Sequence, residues 1–499
     1  MCLHLNMSTQ HKQIAIIGSG VAALAAACRL AKAGHNVKIF EASENPGGKL
    51  TTLHVGDFRF DAGPSLFTLP DTLDDVFKSC GKNPRDYYQY HRKSNLCEYF
   101  FSDGTAFSAP ADPQQFATSA ERTFGVSAQK VLNYLDRSRK KYQATAPLFL
   151  RKSLHKTGTY FSKDICRALK MIPQLGLFSQ LHDDNLQALG EERLTQLFDR
   201  YATYNGSSPF KTPGIMSMIP HLEMGIGTYF PKGGMISITQ ALFQLAQDLG
   251  VQFEFQARVT SIQQDSKQVQ GIHMGDRFVK ADVVVCNMDV VAAYRKLMPN
   301  LKLSAKVAQA ERSSSGIIFY WGIRGTFSQL DLHNIIFSGN YRDEFDAIFE
   351  RKTITSDPTV YINISSKEEP GDAPEGCENW FVMINAPTNV GQNWDILIQQ
   401  SKEHILQKIS RTLNCDISER IVCESTLDPR TIESRTSSLG GSLYGTSSNS
   451  RMAAFLRHPN FSKIKGLYFC GGSVHPGGGI PLCLYSGQIV SEAITNDIR

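Results

Sequence analysis

Two glycines, an alanine and an acid carry the first chemical signal. Gly18, Gly20 and Ala23 follow an apolar run at 14–17 and lead into an alanine-rich stretch reaching Leu30. A second apolar run at 36–40 ends in Glu41. Apolar run, Gly-x-Gly-x-x-Ala turn, helix, second run and acid stand at the spacing of a βαβ dinucleotide fingerprint. Gly18 permits the tight turn, Gly20 lets backbone approach a pyrophosphate, and Ala23 keeps helix and sheet close. The helix start offers unpaired N–H groups and a positive dipole end to phosphate. Glu41 suits a ribose 2′-OH and repels a 2′-phosphate, which argues against NADP.

A second glycine turn follows, Gly47-Gly48-Lys49, and then Asp61-Ala62-Gly63-Pro64-Ser65. These segments resemble the second glycine motif and the Asp-x-Gly-Pro turn of the amine-oxidase-like flavoprotein superfamily. The resemblance implies FAD as the cofactor, with Gly48, Lys49, Gly63, Pro64 and Ser65 beside it. Near the other end, Gly471-Gly472, His475 and Gly477-Gly478-Gly479-Ile480-Pro481 read as a strand, a glycine loop and a helix start. Gly472, Gly479, Ile480 and Pro481 are assigned to the same cofactor, where a helix N-terminus stabilises negative charge at the reduced flavin. A strand near 278–289 ends in polar groups, among them Asn287, at the sheet edge where α/β folds bind ligands. In FAD enzymes of this superfamily a strand like the one at Val259 reads the adenine through its backbone.

The elements that must position these residues are α/β and α+β. A Rossmann-type FAD domain is expected from 8–75, 225–300 and 438–499. A substrate domain with a mixed or antiparallel sheet plus helices is expected from 76–130 and 301–437. Its strands are placed near 98–101, 316–322, 334–337, 359–364, 380–385 and 420–424, with Asp103-Gly104 as a hairpin turn and a helix over 394–412. Residues 131–224 read as a helical lid facing a membrane. Within them, 137–170 hold ten Lys or Arg against the single acid Asp164, interleaved with Tyr160 and Phe161. Such a pattern suits anionic lipid, and equally a solvated basic face over core leucines.

At 499 residues the chain exceeds one ordinary core. Its 41% apolar content, 20% charge and formal net charge of +5 describe a globular protein without a nucleic-acid signature. Eleven scattered cysteines with no Cys-x-x-Cys pair exclude a zinc ribbon, no other metal-ligand cluster is evident, and the odd count suits a reducing cytoplasm. No run reaches a membrane span, and the first ten residues lack a signal-peptide pattern. Nothing in the sequence specifies an oligomeric state.

Taken in order, Phe60-Asp61-Ala62-Gly63-Pro64-Ser65, residues 200–210, residues 229–234, Asn287-Met288-Asp289 and residues 475–481 resemble the phytoene-desaturase-like carotenoid desaturases, and among these the hydroxycarotenoid 3,4-desaturases. The resemblance implies hydride transfer from a long apolar carotenoid to flavin, with proton loss from the adjacent carbon, by an enzyme peripheral to a membrane. His475 is the candidate proton acceptor or a structural imidazole. Arg200 and Tyr204 either border the substrate tunnel or brace the helical region. Phytoene desaturation, carotenoid cis–trans isomerisation, amine oxidation and a lipid carrier of the GDP-dissociation-inhibitor type stay open as alternatives.

Overall fold

The computed structural model describes residues 11–153, 175–265, 267–450, 452–453 and 457–498. Its organising element is a five-stranded sheet in the order Leu467–Phe469, Val283–Cys286, Gln13–Ile17, Asn36–Phe40 and Gln252–Glu254. Every pairing in it is parallel. Parallel strands are covered on both faces, so they read as continuous apolar runs; Val283–Cys286 is buried at all four positions. Helix Val21–Lys32 follows the first strand. Its alanines favour helix and leave little side chain to separate it from its neighbours. Helix Ile480–Ile498 packs against it so closely that a Cβ on Gly487 would lie 2.5 Å from the Ala22 carbonyl oxygen.

A seven-stranded sheet forms the second layer, in the order Ile421–Leu427, Ser315–Arg324, Cys377–Ala386, Val360–Ile364, His333–Ile336, Asn95–Phe100 and Ala106–Pro110. Only the pairing of His333–Ile336 with Asn95–Phe100 is parallel. The hairpin at Asp103-Gly104 joins the last two strands antiparallel, with Gly104 at φ 87°. Helix Trp394–Leu413 buries Trp394, Ile405 and Ile409 in the core of this sheet. Helix Ala128–Phe149 and the short helices between Leu181 and Ile226 build the third region.

The structure corrects two strand readings. Val259 is not in a strand: Gln256 adopts a left-handed φ of 55°, Ala257 donates its N–H to the Glu41 carbonyl, and the strand starts only at Ser261. The run at 278–289 is two strands. Arg277–Lys280 is an edge of a small antiparallel sheet with Phe278 46% exposed, and Val283–Cys286 enters the parallel sheet. Helix Pro70–Ser79 crosses the boundary drawn at residue 75 and packs into the core of the parallel-sheet layer through Leu73, Val76 and Phe77. Much of the basic stretch, including Lys156, Tyr160, Phe161 and Asp164, lies outside the described residues.

Candidate active site

The carboxyl ends of the parallel strands open into one cavity of about 1380 Å³. That exceeds the roughly 300–1,000 Å³ of an ordinary small-molecule pocket. Gly18, at φ 87°, donates its N–H to the Phe40 carbonyl at 2.8 Å and turns the chain into the first helix. Gly20 is the N-cap of that helix and supplies no side-chain cap. The N–H groups of the first turn therefore keep their capacity for an anion. The second glycine turn docks on the first, with the Gly47 N–H on the Ser19 carbonyl at 3.0 Å. A Cβ on Gly48 would stand 3.5 Å from the Gly20 Cα. Gly63 presses closer still: a Cβ there would lie 1.8 Å from the Lys49 carbonyl oxygen.

Glu41 is 9% exposed on the cavity wall. One carboxylate oxygen accepts from the Ser19 N–H at 2.8 Å and its hydroxyl at 2.7 Å; the other accepts from the Ser43 N–H at 2.9 Å. A carboxylate has about four acceptor sites, so capacity for a ribose hydroxyl is left. Asn287 donates from Nδ2 to the Cys470 carbonyl at 3.0 Å, which ties the ends of two parallel strands together.

Three cations gather near the C-terminal glycine loop. The Lys49 ammonium donates to the Leu443 and Ser442 carbonyls at 3.0 and 3.3 Å. Arg457 donates to the carbonyls of Tyr444 and Gly472 at 2.8 and 3.3 Å. Arg312 pairs with Asp289 at 2.6 Å. Burial pushes the Lys49 ammonium down to about 8, with Asp289 opposing it, and pushes Arg457 down to about 10. Asp289 attracts the Lys49 ammonium while Arg312 repels it, and Arg312 repels Arg457 as well. A buried excess of positive charge calls for an anionic ligand. With the uncapped helix start and the crowded glycines, it fits the pyrophosphate and flavin of a dinucleotide.

Away from these groups the walls become apolar, through Ile215, Met216, Ile219, Leu222, Ile335 and Phe381. Arg200 and Tyr204 lie on this part of the wall. Arg200 is also braced: Nε donates to the Tyr99 hydroxyl at 2.9 Å and Nη2 to Glu223 at 2.8 Å, while the Tyr201 hydroxyl donates to Glu223 at 2.6 Å. Its guanidinium stands 4.5 Å from the Tyr201 ring and 5.8 Å from that of Tyr204.

Of the residues assigned to the site from the sequence, Gly18, Gly20, Glu41, Gly48, Lys49, Gly63, Pro64, Ser65, Val259, Asn287, Gly472, Gly479, Ile480, Pro481, Arg200 and Tyr204 all line this cavity. Ala23 does not; it is fully buried beneath it, as close helix–sheet packing requires. His475 does not either. It is 2% exposed, and its Nε2 engages the Lys152 carbonyl at 2.9 Å. Of the two readings of His475, this contact matches the structural imidazole, tying the glycine loop to the end of the helical region. Arg312, Arg457, Glu223, His333 and Tyr361 escape sequence reasoning because each comes from a segment without a motif. The only local signal is Glu223, an acid among apolar residues.

Over residues 21–495 the chain matches the family of flavin containing amine oxidoreductases. It is 52% identical over 486 residues, 97% of this chain and 99% of the relative, to the 1-hydroxycarotenoid 3,4-desaturase of Flavobacterium sp. (strain P99-3). The chain belongs to the carotenoid desaturase branch of this flavoprotein family. Within the branch, the 4,4′-diapophytoene desaturase of Staphylococcus aureus (strain Newman) is 32% identical across 98% of this chain and 99% of its own length. The 4,4′-diapolycopene oxygenase of Methylomonas sp is 30% identical across 99% and 100%. Among solved structures, cyclohexylamine oxidase from Brevibacterium oxydans IH-35A superimposes with a TM-score of 0.64 at 15% identity, covering 98% of this chain and 99% of that one. Putrescine oxidase gives 0.63 at 16%, covering 97% and 99%. These two share the fold. As a carotenoid desaturase the chain is an oxidoreductase whose cofactor is FAD.

Proposed function

We propose that this desaturase introduces the 3,4 double bond into a carotenoid bearing a 1-hydroxyl group. The observation that carries the reading is the continuity of the cavity, from a cationic, glycine-walled dinucleotide cradle into an apolar channel, in a chain 52% identical to a 1-hydroxycarotenoid 3,4-desaturase. Gly18, Gly20 and the start of helix Val21–Lys32 would hold the pyrophosphate, Glu41 the ribose, and Lys49 with Arg457 the anionic end of the cofactor. Bound FAD supplies the acceptor for a hydride. The substrate loses a hydride from one carbon and a proton from its neighbour, and the electron pair of the second C–H bond becomes the new π bond. Loss of hydride next to a polyene leaves positive charge that the conjugated chain spreads, so the neighbouring C–H is acidic enough for water or a weak base.

The protein's own part is to bind, align and dry. Burial is worth about 0.8 kcal/mol per CH₂, so the apolar wall supplies ample affinity for a long hydrocarbon. The same term makes removal of that hydrocarbon from a bilayer costly, and we propose that a cytoplasmic, peripheral form of the enzyme rests its entrance on the membrane. Support comes from Phe178, 76% exposed, and from Arg151 at the end of the helical region. No helix among the described residues is long and apolar enough to cross a membrane. Neutralising Arg151 and Lys152 should weaken sedimentation with anionic vesicles; unchanged sedimentation would reject the membrane contact.

Pigment analysis in a host making both hydroxylated and non-hydroxylated carotenes tests the reaction. A product two hydrogens lighter, with one more conjugated bond at the hydroxylated end, is expected. A change of geometry at constant mass would identify an isomerase instead.

A further inference from the structure

A polyene is a repeating object. Sliding it through an apolar channel by one repeat exchanges like surface for like, so burial alone does not decide which bond meets the flavin. Only the polar end marks a position along the chain. The oxygen of a hydroxyl on C1 is three bonds from C3, within about 5 Å of the reacting pair at ordinary bond lengths. Whatever grips it must therefore stand near the cofactor, on the apolar wall, with an unused hydrogen-bonding atom.

His333 meets these conditions. It is 3% exposed, lies on strand His333–Ile336 and lines the cavity. Its Nδ1 faces the Tyr361 hydroxyl at 2.8 Å and the Asn363 Nδ2 at 3.3 Å. The Asn363 Nδ2 also donates to the Leu332 carbonyl at 3.0 Å, which fixes that atom as the amide nitrogen. Nδ1 must then be the acceptor, and the ring hydrogen sits on Nε2. Burial holds the imidazole neutral, pushed down to about 3. Nε2–H is buried and without a protein partner among the described residues. A neutral ring whose vacant nitrogen already carries hydrogen is a donor, not a base. It asks for a ligand oxygen.

The ring is also tied to the cofactor side. Tyr361, on the cavity wall, links through its hydroxyl to the Ser65 Oγ at 2.8 Å. Ser65 closes the Gly63-Pro64-Ser65 turn assigned to FAD. A second vacancy lines the same cavity: the Tyr204 hydroxyl is buried and lacks a partner among the described residues. A tyrosine hydroxyl both donates and accepts, so the pair offers an alcohol one donor and one amphoteric partner.

We propose that His333 and Tyr204 are the hydroxyl-binding residues that set the register of the carotenoid, and so select the bond that is desaturated. This rests on the substrate class proposed above. Leaving a buried donor unpaired is costly, so such a site rejects an analogue lacking the oxygen far more strongly than a greasy pocket rejects a missing methylene.

The test compares 1′-hydroxy-γ-carotene with 1′,2′-dihydro-γ-carotene, which lacks only the oxygen, each in phosphatidylcholine vesicles with the FAD-loaded enzyme. The wild type should favour the hydroxylated substrate by a hundredfold or more in kcat/KM. In His333→Leu that ratio should fall at least tenfold, and products desaturated at neighbouring positions should appear by mass spectrometry. Equilibrium binding, followed by tryptophan quenching, should lose the same preference. A ratio that holds while both rates fall would overturn the proposal, and so would a wild type that treats the two substrates alike. An altered flavin spectrum in the ligand-free variant with the ratio intact would assign Nε2 to the cofactor instead. Should His333→Leu fail to retain FAD, Tyr204→Phe carries the test by the same criteria. A wild type active on neither substrate would refute the underlying assignment of substrate class, not the anchor.

Discussion

Gly20 and Asn287 stand so close that a methyl group on Gly20 would lie 2.5 Å from the Asn287 amide oxygen. Asn287 has no free route of retreat, because its Nδ2 is committed to the Cys470 carbonyl. Gly20→Ala should therefore distort the cradle at the helix start. A forced contact of this kind costs about 1–3 kcal/mol, so FAD should bind about tenfold more weakly or worse. The ratio of flavin to protein absorbance after dialysis measures it, and full flavin retention would show that the crowding relaxes freely.

Lys49 gives the cofactor site a pH dependence. Its ammonium titrates near 8, lowered by burial. The protonated form attracts an anionic cofactor and the neutral form does not. FAD affinity of the apoprotein should hold below pH 8 and decline above it, and binding should in turn raise the Lys49 pKa. Fluorescence titration between pH 7 and about 9.5 brackets that value and reads the effect. Lys49→Met should bind more weakly and with a flat profile over the same range.

Glu344 acts on stability rather than on the cofactor. It is buried and accepts from the Thr359 N–H at 3.0 Å and the Thr359 hydroxyl at 2.6 Å. Burial pushes its carboxyl from 4.5 up to about 7. The folded state thus holds the proton more tightly than the unfolded chain. The stability this contributes is complete below 4.5 and is lost as pH rises through 7. A shift of that size corresponds to about 3 kcal/mol. Glu344→Gln should raise the thermal midpoint over wild type at pH 8 and give little or no gain at pH 5, as differential scanning fluorimetry would show.

Among the described residues Glu223 is the sole carboxylate paired with Arg200, and both are buried. Removing one member of a buried pair typically costs about 3–5 kcal/mol, since the other charge stays desolvated. Glu223→Leu should show a loss of that order in urea denaturation. The double variant with Arg200→Met should regain part of it, because no uncompensated charge remains. Equal destabilisation in both would locate the effect in packing instead.

The parallel sheet is legible in the sequence because its strands are buried on both faces and its turns need glycine; 14–17 and 36–40 could be little else. The hairpin at Asp103-Gly104 is legible for the same local reason. Val259 is not, because a left-handed residue at Gln256 re-aims the chain without leaving a glycine as a signal. The alternation through 257–262 survives without a strand. His475 stands in the expected loop, but which of its two readings applies is not legible. The glycines around it define the loop, whereas the direction of its imidazole depends on a partner 323 residues away. Arg312 and Arg457 are invisible for a related reason. Each reaches the site from a segment with no pattern of its own, and only the folded chain shows that their charges converge.

The order of strands in the parallel sheet sets a timetable for biosynthesis. Leu467–Phe469 is the last of the five to leave the ribosome, yet it lies beside Val283–Cys286 and leads directly into the C-terminal glycine loop. The N-terminal half of the dinucleotide cradle must wait, greasy and unfinished, through most of translation. Pairings so distant in sequence form slowly and leave apolar surface uncovered meanwhile. Flavin supply and chaperone capacity at the moment of chain release should then govern how much enzyme matures, and riboflavin limitation should lower the yield of folded enzyme.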